Sequence, residues 1–205
     1  MNDTLFYNVW HTPTPESQAR LIAAMRADAP DLAAKPGFRS LTVLLGEDNR
    51  VLVEGRWASR EAFDAAVTHE GGAQASRQGM EAFGTPEPGV FTESFRIGPA
   101  QAPRSVVRIS LARFDAARHD AIRQQLDDSQ ATLVPAIKAL KGHIAFYAAI
   151  DRENCTMSNV SVWETLADAR QLDTLQAMID LQPLFVAAGA RFERPITNHE
   201  TLWVA

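Results

Sequence analysis

The chain has one cysteine in 205 residues, Cys155, so it can form no intramolecular disulfide and no cysteine-rich zinc site. Cys155 follows "DREN" with no sequence neighbour that would stabilise a thiolate, so it reads as an inert thiol. Long apolar runs are also missing. No stretch of eighteen apolar residues occurs, and residues 1–30 lack the apolar core of a signal peptide, so a cytoplasmic protein with no membrane partner is expected. Basic clusters are absent too: 20 Lys and Arg against 25 Asp and Glu give a net charge of −5, which argues against nucleic acid as a partner. The five histidines, His11, His69, His119, His143 and His199, never fall at H-x-H or H-x-x-x-H spacing, so no metal site is expected.

What is present is a globular composition, 46% hydrophobic, arranged in two similar passages. "TLFYNVW" (4–10) has the β-formers of a strand, and "TPTPESQARLIAAMRADAPDLAAK" then reads as a helix. Thr14 suits the N-cap, Pro15 the first turn, and Leu21, Ile22 and Met25 recur at helical spacing. "FRSLTVLL" and "RVLVEGRW" form a hairpin around "GEDN". Ser59 caps a helix through "REAFDAAVTHE", "GGAQASRQGMEAFG" reads as a short helix or loop, and "GVFTESFRI" is a fourth strand.

After the proline-bearing linker "GPAQAPR" (98–104) the order restarts. "SVVRISLARF" is a strand, residues 115–141 a helix, and "GHIAFYAAI" and "CTMSNVSVW" a strand pair around "DREN". "TLADARQLDTLQAMIDLQPLFVAAG" is helical with a second piece starting at Pro183, and "RFERPITNHETLWV" is a closing strand. Gly37 and Gly142, like Trp57 and Trp163, keep nearly the same separation, which marks an internal repeat. The fold class is therefore α+β, with two tandem ferredoxin-like (βαββαβ) domains at 1–98 and 105–205. "HIAFYAAI" is apolar or small on both faces, so both should be covered. One would meet helices of its own half and the other the sheet of the first half, through the row Leu41, Val43 and Leu45.

The run "KPGFRSLTVLLGEDNRVLVEGRWASREAFDAAV" (35–67), with Pro-Gly-Phe after the first helix and a strand ending in Trp before Ser-x-Glu-Ala-Phe, resembles the antibiotic biosynthesis monooxygenase domain of the dimeric α/β-barrel superfamily. Residues 105–204 resemble it more weakly, through strand order, Gly142 and "SVWETLADA". Single-domain relatives pair through their sheets, so the resemblance implies an intrachain dimeric α/β-barrel, with room for two tandem chains to form a homodimer. It also implies chemistry. Some relatives oxidise electron-rich polycyclic phenols with oxygen and without metal or flavin, others degrade haem, and many have no assigned reaction.

In the cofactor-independent oxygenases of the family an Asn stands four residues before the strand-end Trp, on the same strand face. "NVSVW" supplies Asn159 and Trp163, with Ser161 between them, whereas the first half has Val53 in place of the Asn. The amide could hydrogen-bond a substrate oxyanion or peroxide oxygen and the indole N–H could add a donor. The family's Tyr and Arg, six and twenty residues after the Trp, fall on Phe63 and Arg77 in the first half and on Ala169 and Pro183 in the second. For haem breakdown Asn8 matches the first-strand Asn, but the helix Trp and ligating His fall at Ala66 and near Ser76.

Each candidate also has a structural reading. Trp57 and Trp163 are either pocket walls or core plugs at strand ends. Asn159 either faces a pocket or satisfies backbone. His199, in the last strand, is a pocket base or a strand-end histidine. Tyr7 and Tyr147 are phenolic donors or core residues, and Glu54 with Arg56 is an ion pair between the halves or a solvated rim. Two functions follow. One is a small-molecule enzyme, a cofactor-independent oxygenase of a phenolic or polyketide-like substrate with catalytic Asn159, Trp163 and His199 and with Tyr147, Ser161, Trp57 and Arg77 at the substrate. The other is a noncatalytic module that binds a hydrophobic metabolite or serves in assembly. Isomerase or decarboxylase chemistry would need a base such as His199.

Overall fold

A computed structural model describes residues 3–46, 49–68, 79–99, 102–193 and 196–205. The chain divides into two compact units, Met1–Val90 with His199–Ala205, and Phe91–Asn198. These boundaries differ from the repeat boundary at 98–104, because repeats follow the chain whereas units follow contacts.

In the first unit β1 (Thr4–His11) is followed by α1 (Pro15–Ala33), β2 (Phe38–Gly46), β3 (Arg50–Trp57) and α2 (Arg60–Thr68). The Thr14 hydroxyl accepts from the Ser17 N–H at 3.1 Å and Pro15 opens α1, as expected of an N-cap followed by proline. Strands β1, β3 and β2 pair antiparallel in that order, and β9 (Thr197–Val204) pairs with β2 through His199–Val204. Leu21, Met25 and Ala29 of α1 pack on Leu41, Val43, Val51 and Val53. Leu41 and Val43 therefore face their own helix rather than another sheet, which corrects the sequence expectation for that row.

The second unit contains β5 (Val106–Arg113), α3 (His119–Lys138), β6 (His143–Asp151), β7 (Thr156–Trp163), α4 (Leu166–Ala169), a 3-10 turn at Arg170–Thr174, α5 (Gln176–Ala188) and β8 (Arg191–Phe192). Its sheet runs β8, β5, β7, β6 and then β4 (Thr85–Ile97), which pairs with β6 through Thr92–Ile97. Each repeat thus gives its first three long strands to one sheet, and the end of the other repeat adds a fourth. Ile122, Leu126, Leu133 and Ile137 of α3 pack on Phe146, Ala148 and Ile150 of β6 and on Met157 and Trp163 of β7. Every residue of β6 from Ala145 to Asp151 is buried, so both faces of that strand are covered as its composition requires.

Three local expectations are corrected. The helical stretch after Trp163 breaks at Leu175, whose backbone is extended, and Pro183 lies inside α5 rather than at its start. The carbonyl of Ile179, which a residue at 183 would normally satisfy, lies on a residue 48% exposed, where water can replace the missing N–H. Arg191–Phe192 forms its own short strand before β9. Cys155 sits in the β6–β7 turn with φ 49°, and its thiol lies 3.6 Å from the Arg152 carbonyl. Residues 69–78, the end of the stretch read as the second helix and the first part of the stretch read as a short helix or loop, lie outside the described residues.

Candidate functional site

Both units build the corner after the strand-end tryptophan alike. The Ala58 N–H donates to the Gly37 carbonyl at 2.7 Å, and the Glu164 N–H donates to the Gly142 carbonyl at 2.8 Å. Two residues past each Trp a hydroxyl caps the helix: Ser59 Oγ accepts from Ala62 N–H at 3.2 Å, and Thr165 Oγ1 from Asp168 N–H at 3.1 Å. Gly37 and Gly142 have φ of 81° and 69°, and a Cβ on either would lie 2.5 Å from Ala62 Cβ or from the Asp168 carboxylate. Only glycine fits both the dihedral and the space. Trp57 is 2% exposed among Phe38 and Phe63, and Trp163 is fully buried with the His143 ring edge-on at 5.5 Å. The Trp163 indole N–H is buried and makes no hydrogen bond among the described residues.

The second unit also holds a cleft of about 150 Å³ between its sheet and α5. One wall comes from paired strands: Ser110 stands opposite Asn159 and Arg108 opposite Ser161, so all four polar residues share one sheet face. The other walls are mostly apolar, with Leu133, Phe146, Leu172, Leu181 and Phe185. Ile179 and Gln182 of α5 and Asp173 of the 3-10 turn also line it. The side chains of Ser110, Asn159 and Ser161 make no hydrogen bond among the described residues. Three polar side chains without partners among the described residues, set in an apolar cleft, match the general lining of a small-molecule pocket. Arg108, 7% exposed, reaches the mouth, where its guanidinium donates to both oxygens of Asp173: Nη1 to Oδ2 at 3.4 Å, and Nη2 to Oδ1.

Of the residues singled out in sequence, Asn159 and Ser161 line this cleft, whereas Trp163 continues the same strand face into the core. Tyr147 is buried on the opposite face of β6 from Phe146. Trp57, Tyr7 and His199 belong to the first unit, and Arg77 lies outside the described residues. His199 is 4% exposed and packs on Gly46, where a Cβ would lie 2.6 Å from its Nδ1. Burial, with a smaller contribution from Arg50, pushes the His199 pKa down to about 4, so its ring is neutral and weakly basic at neutral pH. Burial also lowers the pKa of His143. Arg56 donates from Nε to Glu54 Oε1 at 2.8 Å within β3, and both are buried, which replaces the solvated rim with an internal pair. Asn8 is buried on β1 opposite Val53. Among the described residues no three His, Cys, Asp or Glu side chains gather as a metal site would require. No described helix is long and apolar enough to cross a membrane.

Sequence reasoning missed Arg108, Ser110 and Asp173. Arg108 and Ser110 alternate with Val107 and Ile109, a pattern that normally assigns the polar residues to solvent. The only signal against that assignment was their pairing with "NVSVW", which depends on strand order.

Residues 8–78 match the antibiotic biosynthesis monooxygenase family profile. No protein among curated sequences matches the chain. Among solved structures the chain resembles an anthrone oxidase-like protein, with a TM-score of 0.77 at 16% identity over 100% of this chain and 92% of that one. It also resembles a provisionally assigned monooxygenase of Fusobacterium nucleatum, with a TM-score of 0.72 at 8% identity over 99% and 94%. A point mutant of chlorite dismutase from Candidatus Nitrospira defluvii has a TM-score of 0.60 at 11% identity over 97% and 90%. At these identities the likeness establishes the fold, which hosts more than one reaction. Residues 8–78 of the first repeat thus resemble the antibiotic biosynthesis monooxygenase family, and the chain shares the α+β fold of these structures, with two tandem ferredoxin-like repeats.

Proposed function

We propose that the chain is a small-molecule enzyme of the antibiotic biosynthesis monooxygenase type that oxygenates an electron-rich phenolic or polyketide-like substrate in the second-unit cleft. The observation that carries this reading is Asn159, whose amide lines an apolar cleft without a partner among the described residues, beside Ser110 and Ser161. In the reaction a methylene carbon beside the aromatic ring of the ionised substrate gives electrons to oxygen and forms a C–O bond. Loss of water from the resulting hydroperoxide leaves a ketone, so one oxygen molecule yields one ketone and one water. Neither step draws on a metal or flavin. The Asn159 N–H donates to the oxygen on which charge develops, and the Ser110 and Ser161 hydroxyls add donors that need no reorientation through water. His199, with a pKa near 4, is a poor base for this chemistry.

A cleft of about 150 Å³ has the scale of one aromatic ring, whereas sites for drug-sized ligands span about 300–1,000 Å³. The reacting ring of a polycycle would enter, and the remainder would project past Ile179, which is 48% exposed. A second reading, a binding module without catalysis, draws on Trp163: its indole N–H lies in the core, and Ala169 and Pro183 stand where the oxygenase Tyr and Arg would be. Oxygen uptake with anthrone separates the two. The oxygenase reading expects uptake by the wild type and a fall of about 10²–10³ in kcat for Asn159→Ala. No uptake above the uncatalysed rate favours the binding module.

A further inference from the structure

The Arg108–Asp173 pair has unequal ends. The Arg108 side chain is 8% exposed and anchored in β5, whereas that of Asp173 is 53% exposed on the 3-10 turn. Arg108 is the one cation and Asp173 the one anion among the described residues lining the cleft. A fixed guanidinium beside an apolar space is preorganised for a planar anion, and its fork matches the two oxygens of a carboxylate. Asp173 presents such a carboxylate, with Nη1 and Nη2 of the guanidinium on its two oxygens. An exposed partner on a turn can swing into water at small cost, because an ion pair with one solvated end contributes little net stability.

We propose that Arg108 is a carboxylate receptor and that Asp173 is its placeholder: the cleft takes an aromatic acid whose ring lies among Phe146, Leu181 and Phe185 and whose carboxylate replaces that of Asp173 on Arg108. The proposal rests on the reading of this cleft as the small-molecule site and adds the acidic group that reading leaves unspecified. It gives Arg108 the role of fixing ligand orientation, with the ring edge directed along β5 and β7 toward Ser110 and Asn159. Charge also stays balanced, since one anion leaves the guanidinium as another arrives.

The test is calorimetric titration of the full chain with 2-naphthoate and with its neutral counterpart 2-naphthamide, at low and high salt. Wild-type protein is expected to bind the naphthoate more tightly than the amide. Asp173→Asn, an exposed change that leaves the core intact, removes the competing carboxylate and should tighten naphthoate binding about fivefold with the amide unchanged. Arg108→Lys, which keeps the charge but loses the fork, should weaken naphthoate binding and leave the amide unaffected. Equal or weaker naphthoate binding by Asp173→Asn, an equal gain for the amide, or no naphthoate binding by either protein would overturn the proposal. The titration involves no oxygen, so the two readings fail separately. Naphthoate behaving as expected without anthrone turnover removes the oxygenase and keeps the receptor, whereas Asn159-dependent turnover with an indifferent Asp173→Asn does the reverse.

Discussion

At the scale of single residues, environment decides what each candidate can do. Asn159 and Trp163 share a strand face, yet the amide meets the cleft and the indole meets the core. Trp163→Phe should therefore cost about 1–3 kcal/mol in urea unfolding and leave anthrone turnover per folded molecule within a few-fold of wild type. A loss of turnover as deep as that of Asn159→Ala would contradict this division. His199 makes a different prediction. Its folded pKa is lowered to about 4 from the usual 6.5, so between those values the unfolded chain binds the extra proton. The stability this neutral ring contributes is full above about pH 6.5 and is lost as pH falls toward 4, by about 3 kcal/mol in total. His143, also lowered by burial, adds in the same direction. Urea unfolding from pH 8 to pH 4 should show a shallower decline in His199→Gln than in wild type. Parallel curves would mean that His199 does not carry the effect.

At the scale of elements, the corner after the strand-end tryptophan explains why the chain carries the same device twice. Trp closes the core, the next N–H bonds a left-handed glycine, and a hydroxyl two residues on caps the helix. Gly142→Ala should destabilise by about 1–3 kcal/mol, since both its dihedral and the Asp168 carboxylate oppose a Cβ. Thr165→Ala should cost about 1 kcal/mol through the lost cap, and calorimetric unfolding measures both. This corner was legible in sequence because it depends on local rules: glycine, tryptophan and a capping hydroxyl at fixed spacing. The strand assignments and α1 were legible for the same reason, through Thr14, Pro15 and alternating apolar residues. Pro183 misled because proline favours the first helical turn, where its missing N–H is not needed, whereas here it lies inside α5 and leaves the Ile179 carbonyl without that donor.

At the scale of the whole molecule, the order of strands carries information that no local pattern holds. Half of the polar row, Asn159 and Ser161, was visible in "NVSVW", whereas Arg108 and Ser110 joined it only once β5 was known to pair with β7. The linker at 98–104 marks where the repeat restarts, but His199–Ala205 belongs to the first unit, with the Leu41 N–H bonded to the Ala205 carbonyl at 2.9 Å and the reverse bond at 2.8 Å. Deleting residues 199–205 should therefore lower hydrogen-exchange protection at Leu41–Leu45, far away in sequence, and unchanged protection there would count against this assignment. The central claim is that the second-unit cleft is where the chain meets its small molecule. Amide-resolved NMR during titration with anthrone under nitrogen tests it most directly. The account predicts shifts concentrated at Arg108, Ser110, Asn159, Ser161 and Gln182; shifts confined to the first unit, or none at saturating anthrone, would contradict it.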